Sequence, residues 1–243
     1  ELLCFIDSDD TVSANYLEIL HTLYSPGVLP VIDVVCSDRN GSALNPMPET
    51  FTLDGNWVDS YFCGQLRYGI AFSVCNKLYS LQTLRRECIA FLPELSIGED
   101  MLFVFQYLQH CQSIRFSKDA SYHYTIVPGS AMFSSMDYTQ PYEKTFAIMS
   151  EKERFSSLIA DRTLSRWAFD ASIIIIANPF IIDRSYTEFK KWWREFRQTA
   201  LYRSAVASEK PSGYKRRVLH FALHSENTLA IYVLFRLLRF GKK

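Results

Sequence analysis

The sequence predicts a mixed α/β sheet flanked by helices, followed by a helical C-terminal region. Three observations carry this reading. Short apolar runs alternate with amphipathic segments as far as Ile126, which is the pattern of an α/β domain. From Tyr138 onward the spacing of apolar residues is helical. The first apolar run, Leu2-Leu3-Cys4-Phe5-Ile6, ends abruptly in Asp7, Asp9 and Asp10. The carboxyl end of a strand is where open α/β sheets place their ligands.

In chain order, Leu2–Thr11 reads as a buried strand, and Ser13–Tyr24 as a helix with Tyr16, Leu17, Leu20 and Leu23 on one face. Val31–Cys36 is a second buried strand, and Ser37–Thr52 a loop punctuated by Gly41, Pro46 and Pro48. Asp54 caps a helix through Leu66, Gly69–Tyr79 is a strand with polar groups at one end, and Leu81–Cys88 is a helix. Ile89–Leu92 is a short strand closed by Pro93. Ser96–Asp100 opens a nearly all-apolar helix, Met101–His110, and Ser113–Phe116 and Ser121–Ile126 complete the strands. The helical region comprises Pro141–Ala177, an isoleucine block within Ala171–Ile182 ended by Asn178-Pro179, then Tyr186–Tyr202 and Tyr214–Phe240. No run approaches the ~20 apolar residues of a membrane span. The domain boundary falls near residue 135, giving units 1–135 and 136–243.

At 243 residues, with 48% hydrophobic and 21% charged residues, the chain is an ordinary globular protein with material for a sizeable core. Its net charge of zero hides an asymmetry. From Arg184 to the end there are 14 Lys and Arg against 4 Asp and Glu, and the rest carries 12 against 22. No recognition motif accompanies the basic tail, which excludes nucleic acid as the expected partner. Its arginines among apolar residues suit an anionic membrane surface instead, the alternative being a packed helical cap with a solvated basic face. The six cysteines are scattered without close pairs, so neither a zinc site nor a disulfide scaffold is expected, and a reducing cytoplasmic setting is.

Asp7 and Asp9, two apart on a strand, share a face. Carboxylates gathered at such a rim repel one another and call for a hard cation, Mg²⁺ or Mn²⁺, shared with substrate phosphates. The plain alternative is that Ser8, Asp9, Asp10 or Thr11 caps the following helix. A second acidic pair, Glu99-Asp100, opens a buried helix, where helix-dipole compensation is the plain reading of Glu99. Asp100 adjoins Met-Leu-Phe-Val-Phe and has the setting of a general base, because partial burial raises a carboxylate's pKa.

Phe-Ile-Asp-Ser-Asp-Asp, Cys-Asn-Lys-Leu-Tyr (75–79), Pro-Glu-Leu-Ser-Ile-Gly-Glu-Asp-Met-Leu-Phe (93–103), then Tyr-His-Tyr with Ser130, in this order, resemble the family 2 glycosyltransferases of the GT-A fold. The resemblance implies a GT-A-like, Rossmann-related sheet and inverting, hexosyltransferase-type transfer. The sugar would pass from a nucleotide-sugar donor to a hydroxyl of a glycan or lipid-linked glycan, in cell-surface polysaccharide synthesis. It implies Asp9 as the Mg²⁺ or Mn²⁺ ligand, with Asp7 and Asp10 around the metal or donor diphosphate. Asp100 would be the base, Glu99 would shape the acceptor site, and Lys77 would contact a phosphate or the acceptor. It also implies a peripheral location on the inner face of the cell membrane. Family members begin with a strand and loop holding the nucleobase. Because this chain opens inside a core strand, the expectation is of an N-terminally truncated domain lacking that nucleotide-binding half. The competing class is a non-catalytic binding module of the same fold.

A third reading takes Asp7-Ser-Asp9-Asp-Thr11 as the first motif of a haloacid-dehalogenase-type phosphatase, with Asp7 as nucleophile. That family needs a later acidic pair four residues apart. Gly98-Glu99-Asp100 is followed by Leu102-Phe103-Val104, so the second acid is missing.

Overall fold

The computed structural model describes residues 1–37, 50–52, 72–125, 136–151, 161–211 and 213–240. The chain divides into two compact units, Glu1–Phe133 and Ser134–Lys243.

The first unit is built around one long strand. Its described strands are β1 (Leu2–Leu3), β2 (Thr11–Val12), β3 (Val28–Ser37), β4 (Thr50–Thr52), β5 (Tyr79–Ser80) and β6 (Ser113–Thr125), and its helices are α1 (Tyr16–Leu23), α2 (Leu81–Arg86) and α3 (Glu99–Leu108). β3 runs parallel to β6 along one edge, while β4 and β2 pair antiparallel with opposite ends of the other edge. β1 and β5 form a separate antiparallel pair, Leu2 opposite Ser80 and Leu3 opposite Tyr79. The sheet is therefore mixed. α1 packs on β3 and β6 through buried Tyr16 and Leu20, while Leu17, expected on the inward face, is 58% exposed.

The two strands expected at Ser113–Phe116 and Ser121–Ile126 are one strand with a bulge. Ile32 faces Ser117 and Asp33 faces Ser121, so three residues of β6 go unmatched. The polar Ser-Lys-Asp stretch that reads as a break is folded back on itself, with the Asp119 N–H donating to Ser117 Oγ at 3.1 Å.

Three other expectations change. Leu2–Thr11 is not a continuous strand: β1 ends at Leu3, and Asp7–Asp10 form a turn, the Asp10 N–H donating to the Asp7 carbonyl at 3.2 Å. Within Gly69–Tyr79, Phe72 is helical and residues 73–78 are irregular except for a bridge of Lys77 to Val31. Here the Asn76 side chain donates to the Ile32 carbonyl at 2.8 Å while the Ile32 N–H donates to the Asn76 carbonyl at 3.0 Å. Side-chain capture of backbone groups replaces a regular ladder. Ile89–Leu92 forms no strand. Residues 38–49, most of the expected loop, and the helix from Asp54 to Leu66 lie outside the described residues.

The second unit is helical: α4 (Thr139–Met149), α5 (Asp161–Ala177), α6 (Pro179–Ile182), α7 (Tyr186–Phe196), α8 (Ala200–Val206), α9 (Tyr214–His224) and α10 (Thr228–Phe240). Its boundaries are set by caps. Asn178 accepts from the Phe180 N–H and Pro179 starts α6, as the sequence indicates. Ser185 and Glu188 form a capping box on α7. The single helix expected over Tyr186–Tyr202 breaks because Thr199 caps α8, accepting from the Tyr202 N–H at 3.0 Å. Tyr214–Phe240 likewise breaks where the Asn227 side chain accepts from the Ala230 N–H at 3.0 Å. Among the described residues no helix is long and apolar enough to cross a membrane.

Candidate active site

The site is assembled by rings. Phe5, two residues before Asp7, packs edge-on against Phe103, three residues after Asp100, with centroids 5.5 Å apart. Phe5 also meets Tyr79 at 5.8 Å and Phe91 at 5.5 Å, and Phe91 stacks on Phe103 at 4.6 Å. Such pairs contribute about 0.5–1.5 kcal/mol each beyond area burial. Together they bring the acidic turn up to the N-terminus of α3. Gly98, at φ 82°, supplies the left-handed residue from which that helix starts.

The acidic turn is tied to β6 by one hydroxyl and one backbone N–H. Tyr122 accepts from the Asp7 N–H at 3.0 Å and donates to the Asp10 carboxylate at 2.6 Å. The other Asp10 oxygen accepts from the Thr125 N–H at 2.7 Å. Asp10 thus anchors the turn. Asp9 is exposed, and no hydrogen bond or ion pair engages its carboxylate among the described residues. None of Ser8, Asp9, Asp10 or Thr11 caps α1, whose N-cap is Asn15.

Behind the turn lies Cys75, a buried free thiol within hydrogen-bonding reach of the Asp7 carboxylate and the Tyr122 hydroxyl. The Tyr16 hydroxyl donates to its carbonyl oxygen. Burial pushes the thiol up to about 12, so it stays protonated. Lys77 is 0% exposed, its ammonium donating to the Ser73 carbonyl at 2.6 Å and Asn76 Oδ1 at 2.7 Å. So buried, the ammonium does not reach a phosphate or the acceptor, the contact that the resemblance implied for it. Desolvation lowers Lys77 to about 7, against the opposing pull of Cys75 and Asp100.

Asp100, half-buried in the first turn of α3, is pushed up to about 6. Desolvation is the main cause, followed by the charges of Glu99 and Asp7, while Lys77 and the Val74 N–H act in the opposite direction. Asp7 is also raised, by desolvation first and then by Asp10, with Asp9 adding to it and the Cys75 hydrogen bond opposing it. The structure therefore brings Asp7, Asp100 and Lys77 into one electrostatic site, with Asp9 and Asp10 on the turn and Glu99 beside Asp100. Sequence reasoning missed Cys75 and Tyr122. Both lie in motifs it singled out, but a buried thiol and a strand tyrosine carry no local sign of the oxygens they meet.

Among the described residues no three His, Cys, Asp or Glu side chains converge to hold a metal by themselves. The donor set nevertheless fits a hard cation whose shell is completed by phosphate and water. Asp9 offers an unengaged carboxylate, and Asp7 carries repulsion that a cation relieves.

No protein-family model matches the chain, and no curated protein matches it. Solved structures do. Residues 1–349 of the S. aureus glycosyltransferase TarS superpose with a TM-score of 0.58 at 19% identity, covering 99% of this chain and 67% of that one. The same protein in complex with UDP-GlcNAc gives 0.57 at 20% identity over 99% and 68%, and in complex with UDP 0.54 at 19% over 99% and 67%. At this identity the likeness is one of fold: the mixed sheet flanked by helices is shared with TarS.

Proposed function

We propose that the chain is an inverting glycosyltransferase of family 2 type, moving a sugar from a nucleoside-diphosphate donor to a hydroxyl of a glycan or lipid-linked glycan. The observation carrying this reading is Asp100: a half-buried carboxylate held near 6 and coupled electrostatically to Asp7 of the acidic turn. A base poised there is largely ionised at neutral pH yet still takes a proton effectively. The glycosyltransferase-like fold supports the donor class, since TarS forms complexes with UDP-GlcNAc and UDP.

In this mechanism the acidic turn receives the donor diphosphate. Asp9 and Asp7 would hold Mg²⁺ or Mn²⁺, which when bound supplies Lewis-acid neutralisation of the diphosphate leaving group. Asp100 accepts the proton of the acceptor hydroxyl as its oxygen bonds to the anomeric carbon. The carbon–oxygen bond to the diphosphate breaks on the opposite face, and its electron pair leaves with the nucleoside diphosphate. Asp10 and Tyr122 fix the turn, Glu99 shapes the acceptor side, and Lys77 acts through Asp100 from behind. Asp100→Asn should lower kcat about 10²–10⁴-fold with donor Kd little changed. Retained turnover removes Asp100 as base.

The location proposed is peripheral, on the inner face of the cell membrane. α10 buries Ile231, Tyr232 and Phe235 but leaves Leu229, Val233 and Leu237 exposed, and on α9 Tyr214 and Phe221 are exposed beside Lys215 and Arg217. Apolar residues flanked by cations suit an anionic lipid surface. Replacing Leu229 and Leu237 by serine should cut co-sedimentation with anionic vesicles several-fold, and an equal pellet returns α10 to a purely structural role.

A further inference from the structure

The proposed chemistry leaves unused a cleft lying wholly within the helical unit. It holds about 360 Å³ and is lined by Lys190, Trp193, Arg194, Arg197, Gln198, Tyr202 and Thr228. Three of these residues are cations on one helical row, at i, i+4 and i+7. Like charges so spaced repel. Among the described residues none of the three forms an ion pair with a carboxylate. Arg197 instead lies over the ring of Tyr202, 6.0 Å from its centroid.

One wall of the cleft is aromatic. Trp193 is 1% exposed, and among the described residues its indole Nε1–H has no acceptor, the nitrogen itself being closed off from solvent. A buried donor left unsatisfied costs about 1–3 kcal/mol. The wall itself is rigid: Trp193 meets Phe196 at 6.0 Å and Tyr202 edge-on at 5.4 Å, and the Tyr202 hydroxyl donates to the Leu223 carbonyl at 2.5 Å.

From the cation row and the aromatic-walled cleft that it lines, we infer that the helical unit binds a phosphate group. Two arginines and a lysine offer more positive charge and more forked donors than a single carboxylate uses, whereas a phosphate ester, with up to two negative charges and three free oxygens, can engage them together. The volume is at the small end of ligand sites, about 300–1,000 Å³. It suits a phosphate with a short polar moiety esterified to it. Such a group belongs either to a soluble ester or to a phospholipid headgroup.

The test is calorimetric titration of the whole chain with glycerol 1-phosphate at constant ionic strength. Saturable binding is expected, weakened at least tenfold in the Arg194→Gln/Arg197→Gln pair and severalfold in Lys190→Gln. Lys191→Gln, an exposed cation of the same helix outside the cleft, should bind as the parent does. Circular dichroism establishes that each variant is folded. Competition by glycerol 1-phosphate against phosphatidylglycerol vesicles assigns the site to a headgroup, and its absence assigns it to a soluble ester. No saturable heat, or an equal loss in Lys191→Gln, overturns the proposal.

Discussion

Asp7, Asp9 and Asp10 crowd three carboxylates onto a turn in the first unit, while Lys190, Arg194 and Arg197 line three cations along one helix in the second. The two clusters are held by different physics. The turn owes its shape to groups more than a hundred positions away, the Tyr122 hydroxyl and the Thr125 N–H, and to Phe5 meeting Phe103. The cation row follows from the 3.6-residue period of α7, whose other face buries Phe189, Trp192 and Phe196. Charge repulsion is also answered differently. In the turn it adds to the desolvation that raises the pKa of Asp7, and at α7 it is moderated because Lys190 and Arg194 line a cleft rather than a buried wall. A site built by long-range contacts should respond sharply to single changes, whereas a helical row should respond in proportion to the charge removed.

The largest effect is expected at the carboxylate with no protein partner. Asp9→Ala should weaken donor binding in the presence of Mg²⁺ or Mn²⁺ by roughly 100-fold and abolish its dependence on the metal. The same calorimetry in chelator should then fail to distinguish the variant from its parent. A variant that keeps metal-dependent binding would place the cation elsewhere and dissolve the contrast between an acidic turn that needs a ligand and one that is merely anchored.

Next in size is a pH effect on stability. Asp100 titrates at its ordinary 3.8 when unfolded and near 6 when folded. Between those values the native state holds a proton that the unfolded chain has released. Its contribution is therefore complete below about pH 4 and lost as pH rises through about 6, an amount of about 3 kcal/mol. Asp100→Asn has no proton to lose. In metal-free buffer its unfolding free energy should exceed the parent's above pH 7 by up to this amount, and the gap should close towards pH 4. A gap independent of pH would mean that the carboxylate is not desolvated. The direction matters, because a variant more stable and less active marks a group placed for chemistry rather than for the fold.

What was legible in the sequence follows the same division between local and distant causes. The helices at Leu81 and Met101, the isoleucine block ended by Asn178-Pro179, and the all-helical second half were readable because periodicity and caps are local. Glu99-Asp100 was readable as an opening acidic pair for the same reason. The turn at Asp7–Asp10 was not. A strand extrapolated from Leu2–Ile6 carries no mark that Asp10 will be captured by Tyr122 and turn the chain back against β6. Lys77 reads as a contact for a phosphate or the acceptor, but Ser73 and Asn76 fold oxygens towards it and bury it fully, which no local pattern announces. The breaks at Thr199 and Asn227 were overlooked although both are N-cap residues, a local signal outweighed by the length of the apolar pattern around them.

The smallest expected effect is also the most discriminating for the turn. Tyr122→Phe keeps the ring that packs 6.5 Å from Tyr16 and removes only the hydroxyl. Asp7 then loses the acceptor for its N–H, and Asp10 loses one of its two donors. Because these groups are only partly buried, water replaces some of what is lost, and a cost of about 1–2 kcal/mol in urea denaturation is expected. The functional consequence should exceed what that cost alone produces. With Asp10 held only by Thr125, the turn samples other shapes, and donor affinity should fall severalfold while the acid limb of the turnover profile, set by Asp100, stays where it was. A shifted limb would mean that Tyr122 reports on the base rather than on the turn. Unchanged affinity with the same stability loss would mean that Phe5 and its ring partners suffice to hold the carboxylates in place.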